Sequence, residues 1–401
     1  MSATPLPSIA DRAPYQALAR PRRGRFIEAL DQRALPHAVV KVKIADADAA
    51  ALAIRKMMIR GAPLIGAVGA YGLALALDRD ASDAALARAH SALDTTRPTA
   101  VNLRWALDRV RARVAPLAGS GRADAAWAEA DAICDEDVAI NHAIGTHGLE
   151  LLRDLARSRS GPVNVMTHCN AGALATCGWG TATAPLFLAQ AEGIALHVFV
   201  SETRPRLQGA NLTAWEMSQR GIPHTLFIDG ASGLLMRRGD IDIVIVGADR
   251  VARNGDVCNK IGTYDKALAA RESRVPFYVA LPSPTIDWNL ATGDAIPIES
   301  RSSDEVLTVL GRDEYGHTTR VALAPPGTHA VNFAFDVTPA RLVTGLLTER
   351  GVARDAHWLP AMYPEYAGIH AGLIANLWLP VWAGGRGLVN LRRRWFSQGS
   401  N

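Results

Sequence analysis

A thiol and a carboxylate each follow a short apolar run in this sequence. Cys169 stands in the segment MTHCNAG after VNV, and Asp249 ends the segment VGAD after IDIVI. A thiol in a small-residue turn before a helix lies near backbone N–H groups and the positive end of the helix dipole, which favour the thiolate and could also hold a phosphate. A carboxylate at the end of an apolar strand loses water, so its pKa rises and it becomes a candidate general acid. Each also has a plainer interpretation, Cys169 as a small buried side chain and Asp249 as a cap for the following turn.

Arginine, lysine and amide side chains beside glycine and proline turns form a second group of candidates. Arginine in such a turn is a suitable phosphate ligand, because its planar guanidinium donates two parallel hydrogen bonds. Each residue considered alone is also consistent with an ordinary solvated side chain. Together with the thiol and the carboxylate, the group predicts an enzyme for a small phosphorylated molecule, without naming the reaction. Its members are Arg60 beside Gly61 and Ala62, Arg97 before Pro98, then Arg204, Arg206 and Gln208, and finally Asn259 and Lys260.

Short Val/Ile-rich runs alternate with helical segments from near Gly161 onward. The runs VNVMTHCN, ALHVFVSE, HTLFIDG, IDIVIVGADR and PFYVALP are mostly separated by segments such as LTAWEMSQR and YDKALAARES. Continuous apolar strands that alternate with helices indicate a parallel sheet covered on both faces. Such sheets bind ligands outside the carboxyl ends of their strands, which is where Cys169 and Asp249 fall.

The chain before Gly161 is predicted to be mainly helical. The strand-like segments RFIEAL and HAVVKVKI come first, and apolar residues at helical spacing follow as far as residue 158, with a turn predicted at Gly119–Arg122. The predicted fold class is α/β: a helical N-terminal domain with a short β segment, then a doubly wound, Rossmann-like parallel sheet. We place the first domain at 1–158, the second at 159–351 and a C-terminal extension at 352–401. The candidate residues divide between the two domains, so we expect a cleft between them.

The composition excludes several classes of protein. The 401 residues are 49% hydrophobic and 20% charged, which is sufficient for a core and argues against disorder. A net charge of +4 is too small for an electrostatic nucleic-acid binder, and four cysteines do not make a disulfide framework. The N-terminus lacks the apolar stretch of a secretory signal, so we expect a cytoplasmic protein.

The extension 352–401 combines tryptophans with the basic cluster Arg392–Arg394. Glycine and proline interrupt any amphipathic helix there, so packing on the body or an oligomer contact is favoured over contact with a membrane. Its tryptophans are Trp358, Trp378, Trp382 and Trp395.

Six segments, taken in order, cover most of residues 45–351. They are MIRGAPLIGAVGAYGLALAL, RPTAVNLRWALDRV, MTHCNAGALAT, SETRPRLQGANLTAWEM, VGADRVARNGDVCNKIGTYDKALAA and FDVTPARLVTGLLTERG. This set resembles the methylthioribose-1-phosphate isomerase family of methionine salvage, which is related to regulatory subunits of the translation-initiation exchange factor. The resemblance implies Cys169 and Asp249 as the catalytic pair, a homodimer, and no metal or organic cofactor. The residues at the family's substrate-binding positions are Arg60, Gly61, Ala62, Arg97, Gln208, Asn259 and Lys260.

The reaction that the resemblance implies is conversion of 5-methylthioribose 1-phosphate to 5-methylthioribulose 1-phosphate. The phosphate on the anomeric oxygen prevents opening of the ring to a free aldehyde, so an acid must protonate the ring oxygen before a hydrogen moves from C2 to C1. Asp249 is the candidate for that acid, and Cys169 for the acid/base group near C1 or C2. The sequence leaves open whether the C2 hydrogen leaves as a proton, giving an enol, or shifts as a hydride in a dry pocket.

Substrate, role and two side-chain assignments also have alternatives. 5-Deoxyribose 1-phosphate and ribose 1,5-bisphosphate are alternative substrates, and a non-catalytic regulatory subunit is the alternative role. Cys177 is expected to pack on the helix after Cys169, with a resolving thiol as the alternative. An apolar pocket for the methylthio group has five candidate members, although a place in the core is favoured for each of them: Met58, Leu64, Tyr71, Trp105 and Trp179.

Overall fold

A computed structural model describes residues 15–97, 100–354 and 358–367. The chain through Leu359 forms one compact unit, and a second unit begins at Pro360. Most of the predicted C-terminal extension, including Arg392–Arg394, lies outside the described residues. Within the described ranges, no helix is both long enough and apolar enough to cross a bilayer.

The strands and helices have the following bounds. The strands are β1 (Leu18–Ala19), β2 (Ile27–Leu30), β3 (Lys41–Ile44), β4 (Val163–Thr167), β5 (Leu196–Ser201), β6 (His224–Phe227), β7 (Ile243–Val246), β8 (Arg250–Ala252), β9 (Val257–Lys260), β10 (Phe277–Ala280), β11 (Ile286–Asp287), β12 (Thr308–Arg312), β13 (Thr318–Ala322), β14 (Phe335–Thr338), β15 (Gly345–Thr348) and β16 (Gly351–Ala353). The α-helices are α1 (Ala47–Arg55), α2 (Ala62–Arg79), α3 (Asp83–Asp94), α4 (Val101–Val114), α5 (Gly119–Arg157), α6 (Ala184–Ala191), α7 (Ala214–Arg220), α8 (Ser232–Arg237), α9 (Thr263–Ser273), α10 (Asp304–Leu307), α11 (Trp358–Met362) and α12 (Pro364–Ala367).

The N-terminal part packs five helices beside the antiparallel sheet β1–β2–β3. Asp46 caps α1, because its carboxylate accepts the Ala49 N–H at 2.7 Å. Helix α2 is buried over most of its surface and lies against α4, where Gly66 and Gly69 have no room for a side chain. The core of this part is built from the apolar sides of α1 to α5 and the inner side of the small sheet.

The turn predicted at Gly119–Arg122 is wrong, because those residues form the first turn of α5. The break lies at Ala115–Ala118 instead, where Pro116 cannot supply the N–H that would continue α4. The guanidinium of Arg122 donates to the carbonyls of Ala115 and Leu117. It therefore satisfies carbonyls that the end of α4 leaves without partners.

Seven strands form the large sheet, in the order β16–β15–β10–β7–β4–β5–β6. All are parallel except β16, which pairs antiparallel with β15 at one edge. Within this sheet, β4 comes first in the sequence. β5 and β6 follow on one side of it, and β7, β10 and β15 then follow on the other side. The doubly wound α/β fold predicted from the sequence is thus confirmed, with its topological switch point between β4 and β7.

Two smaller β structures follow β7. β8, β9, β11 and β14 form a four-stranded sheet in the order β11–β8–β9–β14, and β12 pairs with β13 in an exposed hairpin. The four-stranded sheet lies directly after the carboxyl end of β7, because only three residues separate β7 from β8. Its strand β9 thereby comes to the edge of the large sheet where ligands are expected.

Candidate active site

Cys169 lies two residues past the end of β4 in a conformation that residues with a side chain rarely adopt. Its φ is +60°, in the left-handed region where a residue other than glycine often marks a functional site. Its N–H donates to the Thr203 hydroxyl at 2.8 Å, and its carbonyl accepts from the Thr213 hydroxyl at 2.6 Å. These two contacts fix the main chain that carries the thiol.

The segment after Cys169 differs from the helix expected there. Ala173–Ala175 form a single 3-10 turn, and α6 begins only at Ala184. The N–H groups of Ala173 and Leu174 donate to the carboxylate of Glu216. These two N–H groups are therefore occupied by a protein acceptor, and the helix start that was expected as an anion site is absent from this described segment.

Burial raises the pKa of the Cys169 thiol, and the nearby cations Arg60 and Lys260 partly oppose the rise. A thiol with a raised pKa is protonated at neutral pH. The helix that was expected to favour the thiolate is absent from the described segment directly after Cys169, and the Asn170 N–H, which does lower this pKa, is outweighed by burial. The cations near the sulfur are side chains, not a helix end.

Asp249 lies three residues past β7, the strand that pairs with β4 through Val165 and Ile243. Its N–H donates to the carbonyl of Cys258 at 2.9 Å, so the pairing of β8 with β9 holds its main chain. Loss of water raises the pKa of its carboxyl, with Lys260 the largest opposing charge. The rise expected from the sequence is thus found.

Arg60 extends from the start of α2 to the loop after β4. Its Nη1 donates to Asn170 Oδ1 at 2.6 Å, and its Nη2 donates to the Asn170 carbonyl at 2.7 Å. Gly61 has φ +98°, and a Cβ on it would lie 2.5 Å from backbone atoms of Ala175. Only glycine permits this close approach of the two segments. The next residue, Ala62, lines the same cavity as Arg60 and Gly61.

Arg97 and Gln208 present polar atoms that no described residue satisfies. Nε and Nη1 of Arg97 are buried without a hydrogen-bond partner in the described part of the chain, while its Nη2 lies 3.4 Å from Glu299. Oε1 of Gln208 is likewise buried without a partner among the described residues, at the start of a π-helical segment, Gly209–Thr213. Buried donors and acceptors left unpaired are costly, which favours a ligand that pairs with them.

Asn259 and Lys260 close the site from strand β9. Asn259 Nδ2 donates to the Thr263 hydroxyl at 3.0 Å, and Lys260 Nζ donates to the Ala334 carbonyl at 2.8 Å. The Lys260 ammonium also lies 4.6 Å from the ring centroid of Phe335. Burial lowers the pKa of Lys260, and the neighbouring Cys169 and Asp249 oppose that shift.

Two adjoining cavities gather the predicted site residues. The larger, about 660 Å³, is lined by Asp249, by Cys169 and by three cations of the predicted set, together with Arg250 and a second thiol, Cys258, and the smaller, about 420 Å³, adds Asn259. Cationic side chains around one carboxyl and a thiol suit a phosphorylated substrate whose chemistry needs proton transfer. The residues from the predicted set that line the larger cavity are Arg60, Gly61, Ala62, Arg97, Cys169, Gln208, Asp249 and Lys260.

The apolar wall of the larger cavity consists of residues that sequence reasoning did not select. Met57, Ile65, Ile296 and Phe335 line it. The expected members do not line it, and Trp105 lines a separate cavity of about 330 Å³. Their favoured place in the core is found instead: Leu64, Tyr71 and Trp179 are buried in it, and Met58 and Trp105 pack against it. Met57 lines the cavity and its neighbour Met58 does not, because only one side of the backbone faces the cavity at this point.

Two arginines of the predicted set lie outside the larger cavity. Arg204 donates to the Val306 carbonyl at 2.8 Å, and Arg206 pairs with Glu305 at 2.7 Å. Of the segment SETRPRLQGAN, Gln208 is the candidate that reaches the thiol and the carboxyl. Sequence alone could not separate the three, because each follows the same strand end.

Cys177 does not lie on a helix, contrary to expectation. It follows the 3-10 turn, its N–H donates to Asp137 at 2.7 Å, and its sulfur lies 3.5 Å from that of Cys134. It lines neither of the two cavities that contain Cys169. Its neighbour is thus a thiol of α5.

Comparison with known proteins identifies the family that this chain resembles in sequence and structure. Residues 58–355 match the family described as the Initiation factor 2 subunit family. The structure of 5-methylthioribose 1-phosphate isomerase from Pyrococcus horikoshii is similar, with a TM-score of 0.76 and 37% identity over 87% of this chain and 96% of that one. The structure of translation initiation factor eIF-2B, subunit delta, from A. fulgidus is similar with a TM-score of 0.72 and 35% identity, over 87% of this chain and 99% of that one.

Curated relatives show which group of proteins this chain is similar to in sequence. The methylthioribose-1-phosphate isomerase of Rhizobium meliloti is 56% identical over 361 residues, which are 89% of this chain and 99% of that protein. The fold, the switch-point site and the matched residues together define the class as the Initiation factor 2 subunit family. Within this family, to which the chain belongs, it groups with the methylthioribose-1-phosphate isomerases.

Proposed function

We propose that this protein isomerises 5-methylthioribose 1-phosphate to 5-methylthioribulose 1-phosphate, with Asp249 and Cys169 as the acid/base pair. One observation carries the proposal: the two residues follow adjacent parallel strands, β4 and β7, and line one cavity that also contains Arg60, Arg97 and Lys260. The name shared by the curated relatives gives the substrate.

The carboxyl of Asp249 suits the first step. Its pKa is raised by burial, so it holds a proton at a higher pH than an ordinary aspartic acid and can give it to the ring oxygen of the sugar. The bond from C1 to the ring oxygen then breaks, and positive charge develops at C1 beside the phosphate oxygen. Asp249, now a carboxylate, faces that charge.

Hydrogen transfer from C2 to C1 completes the reaction by either of two routes. In the first, a base takes the C2 proton and the electrons form a C1–C2 double bond; a proton is then returned at C1 while the hydroxyl on C2 loses its proton to give the ketone. In the second, the C2 hydrogen moves with its electron pair to C1 while the hydroxyl on C2 loses its proton. The raised pKa of Cys169 and the apolar wall formed by Ile65 and Phe335 favour a shielded site, which suits either route.

The phosphate is assigned to the cations of the cavity. Arg97 contributes the buried Nε and Nη1 groups that no described residue accepts from, and Lys260 brings its ammonium from β9. These donors would hold the phosphate on C1 close to the two acid/base groups. Gln208 Oε1 is free to accept from a sugar hydroxyl in the same cavity.

Proton NMR of the substrate in D2O tests the proposal directly. The wild-type protein is expected to produce the ketose, and Cys169→Ser is expected to lose turnover by about 10² to 10⁴-fold while keeping its fold. Cys134→Ser is the matched control, because Cys134 lines neither cavity that contains Cys169, and it is expected to turn over like wild type. Deuterium at C1 of the product supports the enol route, and its absence supports the hydride shift. No turnover by folded wild-type protein would refute the proposed reaction.

Ribose 1,5-bisphosphate is the second candidate substrate, and one feature favours it. A further cavity of about 1020 Å³ shares Met57, Arg60 and Gln208 with the larger cavity and is lined by additional basic residues. Two of its arginines are already paired, Arg33 with Asp31 and Arg206 with Glu305, which weakens its attraction for a second phosphate. The same NMR assay with the bisphosphate separates the candidates by kcat/KM.

A further inference from the structure

A buried carboxylate that the proposed chemistry does not use lies behind the loop after β4. Glu216, on helix α7, is fully buried. It accepts four hydrogen bonds: Oε1 from Asn170 Nδ2 at 2.7 Å and Leu174 N–H at 3.2 Å, and Oε2 from the Tyr15 hydroxyl at 2.7 Å and Ala173 N–H at 2.9 Å. Burial raises the pKa of the Glu216 carboxyl, and the four hydrogen bonds oppose that rise because they favour the ionised form.

Three of these four donors belong to the loop that begins at Cys169. The side chain of Asn170 and the main chain of Ala173 and Leu174 all point to the same carboxylate. Gly172, between them, has no side chain, and a Cβ there would overlap the Glu216 carboxylate. The loop is therefore folded around this one acid.

Asn170 joins Glu216 to the substrate cavity. Its amide nitrogen donates to Glu216, while its amide oxygen and its carbonyl both accept from the guanidinium of Arg60. Arg60 reaches the cavity wall beside Cys169. A continuous chain of hydrogen bonds thus runs from the buried acid through one amide to a cation of the proposed site.

We propose that Glu216 is a positioning residue, which sets the orientation of Arg60 through Asn170 and fixes the loop that carries Cys169. The expected change in kinetics rests on the proposed function, whereas the structural role of Glu216 does not. A rigid loop is needed because Cys169 holds an uncommon backbone conformation, which persists only where the surroundings determine it. Glu216 supplies that determination from outside the cavity and does not contact the substrate.

The variant Glu216→Gln removes the carboxylate at constant shape. Whichever way the new amide is turned, its NH2 group faces a main-chain N–H of the loop, at Ala173 or Leu174. We expect kcat/KM for 5-methylthioribose 1-phosphate to fall about a hundredfold, with an increase in KM as Arg60 loses its orientation. Wild-type KM in a folded variant would overturn the proposal.

A second readout does not depend on turnover. The rate at which iodoacetamide modifies Cys169, followed by mass spectrometry of its peptide over a range of pH, reports the pKa of that thiol. Arg60 lowers this pKa, so displacement of Arg60 should move the midpoint of the alkylation curve to higher pH. An unchanged midpoint in Glu216→Gln would overturn the proposal, even if the wild-type protein proves to have another substrate.

Asp78→Asn is the matched control for a carboxylate-to-amide change. Asp78 is a partly buried acid of α2 that accepts from Trp127 Nε1 at 2.8 Å and lines neither cavity that contains Cys169. It is expected to lower stability while leaving the alkylation midpoint and KM at their wild-type values. A shift as large as that of Glu216→Gln would mean that both report general destabilisation, and would overturn the positioning role.

Two further variants cover the case in which Glu216→Gln does not fold. Asn170→Ser removes the amide that joins Glu216 to Arg60, while the Arg60 Nη2 bond to the main-chain carbonyl at position 170 and the Ala173 and Leu174 bonds to Glu216 stay in place. It should raise the alkylation midpoint in the same direction as Glu216→Gln. In an Arg60→Lys background, Glu216→Gln should add much less than its full effect, because the two act through one contact. An unshifted midpoint in Asn170→Ser, or full additivity in the double variant, would refute the pathway.

Discussion

The loop after β4 and the loop after β7 carry the two proposed acid/base residues, and the protein holds them by different means. The Cys169 loop is tied by side chains from distant segments, among them Thr203, Thr213 and Glu216. The Asp249 loop is tied by main-chain bonds, from its own N–H to the Cys258 carbonyl and through the β8–β9 pairing.

This difference follows from the local sequence. After β4 the chain makes no regular structure until α6, so its N–H groups need side-chain acceptors. After β7 the chain enters a new sheet within three residues, so its N–H groups find main-chain carbonyls. Side-chain substitutions should therefore disturb the Cys169 loop and leave the geometry of the Asp249 loop intact.

The largest effect is expected for Asp249→Asn. We expect kcat to fall by about 10² to 10⁴-fold, because the amide cannot give a proton to the ring oxygen. The main-chain bond to Cys258 remains. A carboxyl whose pKa is raised by burial lowers the stability of the fold as the pH rises above the ordinary pKa of aspartic acid, and the amide removes this destabilising group. Thermal unfolding near neutral pH should thus show an unchanged or higher Tm, and a marked loss of Tm would contradict the comparison.

A smaller effect is expected for Thr203→Val, which leaves the buried Cys169 N–H without its acceptor. The loss should be about 1–3 kcal/mol in the free energy of unfolding, measured by urea denaturation. Cys258→Ser is the counterpart on the other loop, because its carbonyl still accepts from Asp249 whatever the side chain. Equal destabilisation by the two variants would remove the distinction between the loops.

An effect that is confined to acid pH concerns His168, at the start of the Cys169 loop. Burial lowers the pKa of His168 to about 3, whereas an unfolded histidine titrates near about 6.5. Below about pH 6.5 this histidine binds a proton in the unfolded chain, whereas in the folded protein it stays neutral down to about pH 3. His168 therefore lowers the free energy of unfolding as the pH falls through that window. His168→Gln, which keeps a donor for the Ile261 carbonyl, should flatten the dependence.

Urea unfolding at several pH values below neutrality measures this slope. His317→Gln is the control, because His317 is an exposed histidine of the β12–β13 turn. It should keep the wild-type slope. If His168→Gln keeps that slope as well, acid sensitivity arises elsewhere in the molecule.

Sequence patterns predicted the sheet better than the loops that it supports. The runs that became β4, β5 and β7 are continuous and apolar, so burial on both faces could be inferred from composition alone. The region after Cys169 contains Ala, Gly and Leu, which suit a helix start equally well. The acceptors that hold it in another conformation, Thr203 and Glu216, lie more than thirty positions away.

The candidate residues could be predicted where they belong to a recognisable motif. They could not be predicted where only tertiary contacts determine which side chain reaches the site. The nine members of the predicted site come together because most of them lie at or just after strand ends or at the start of α2, while Arg97 joins them from the segment between α3 and α4. Glu216 carried no such signal, since an acid in the helical segment LTAWEMSQR looks like an exposed one. The apolar wall was missed for the same reason: Met57 and Met58 are equivalent in sequence, and only the course of the backbone selects between them.

The switch point between β4 and β7 also determines when the site can exist. Asn164 and Asp242, which hydrogen-bond at the start of the two strands, are separated by 78 positions. The connection from β5 to α8 lies between these two central strands in the sequence, and closing so long a loop costs conformational entropy. The thiol and the carboxyl therefore come together only when β7 lies beside β4, and neither loop contains the pair on its own.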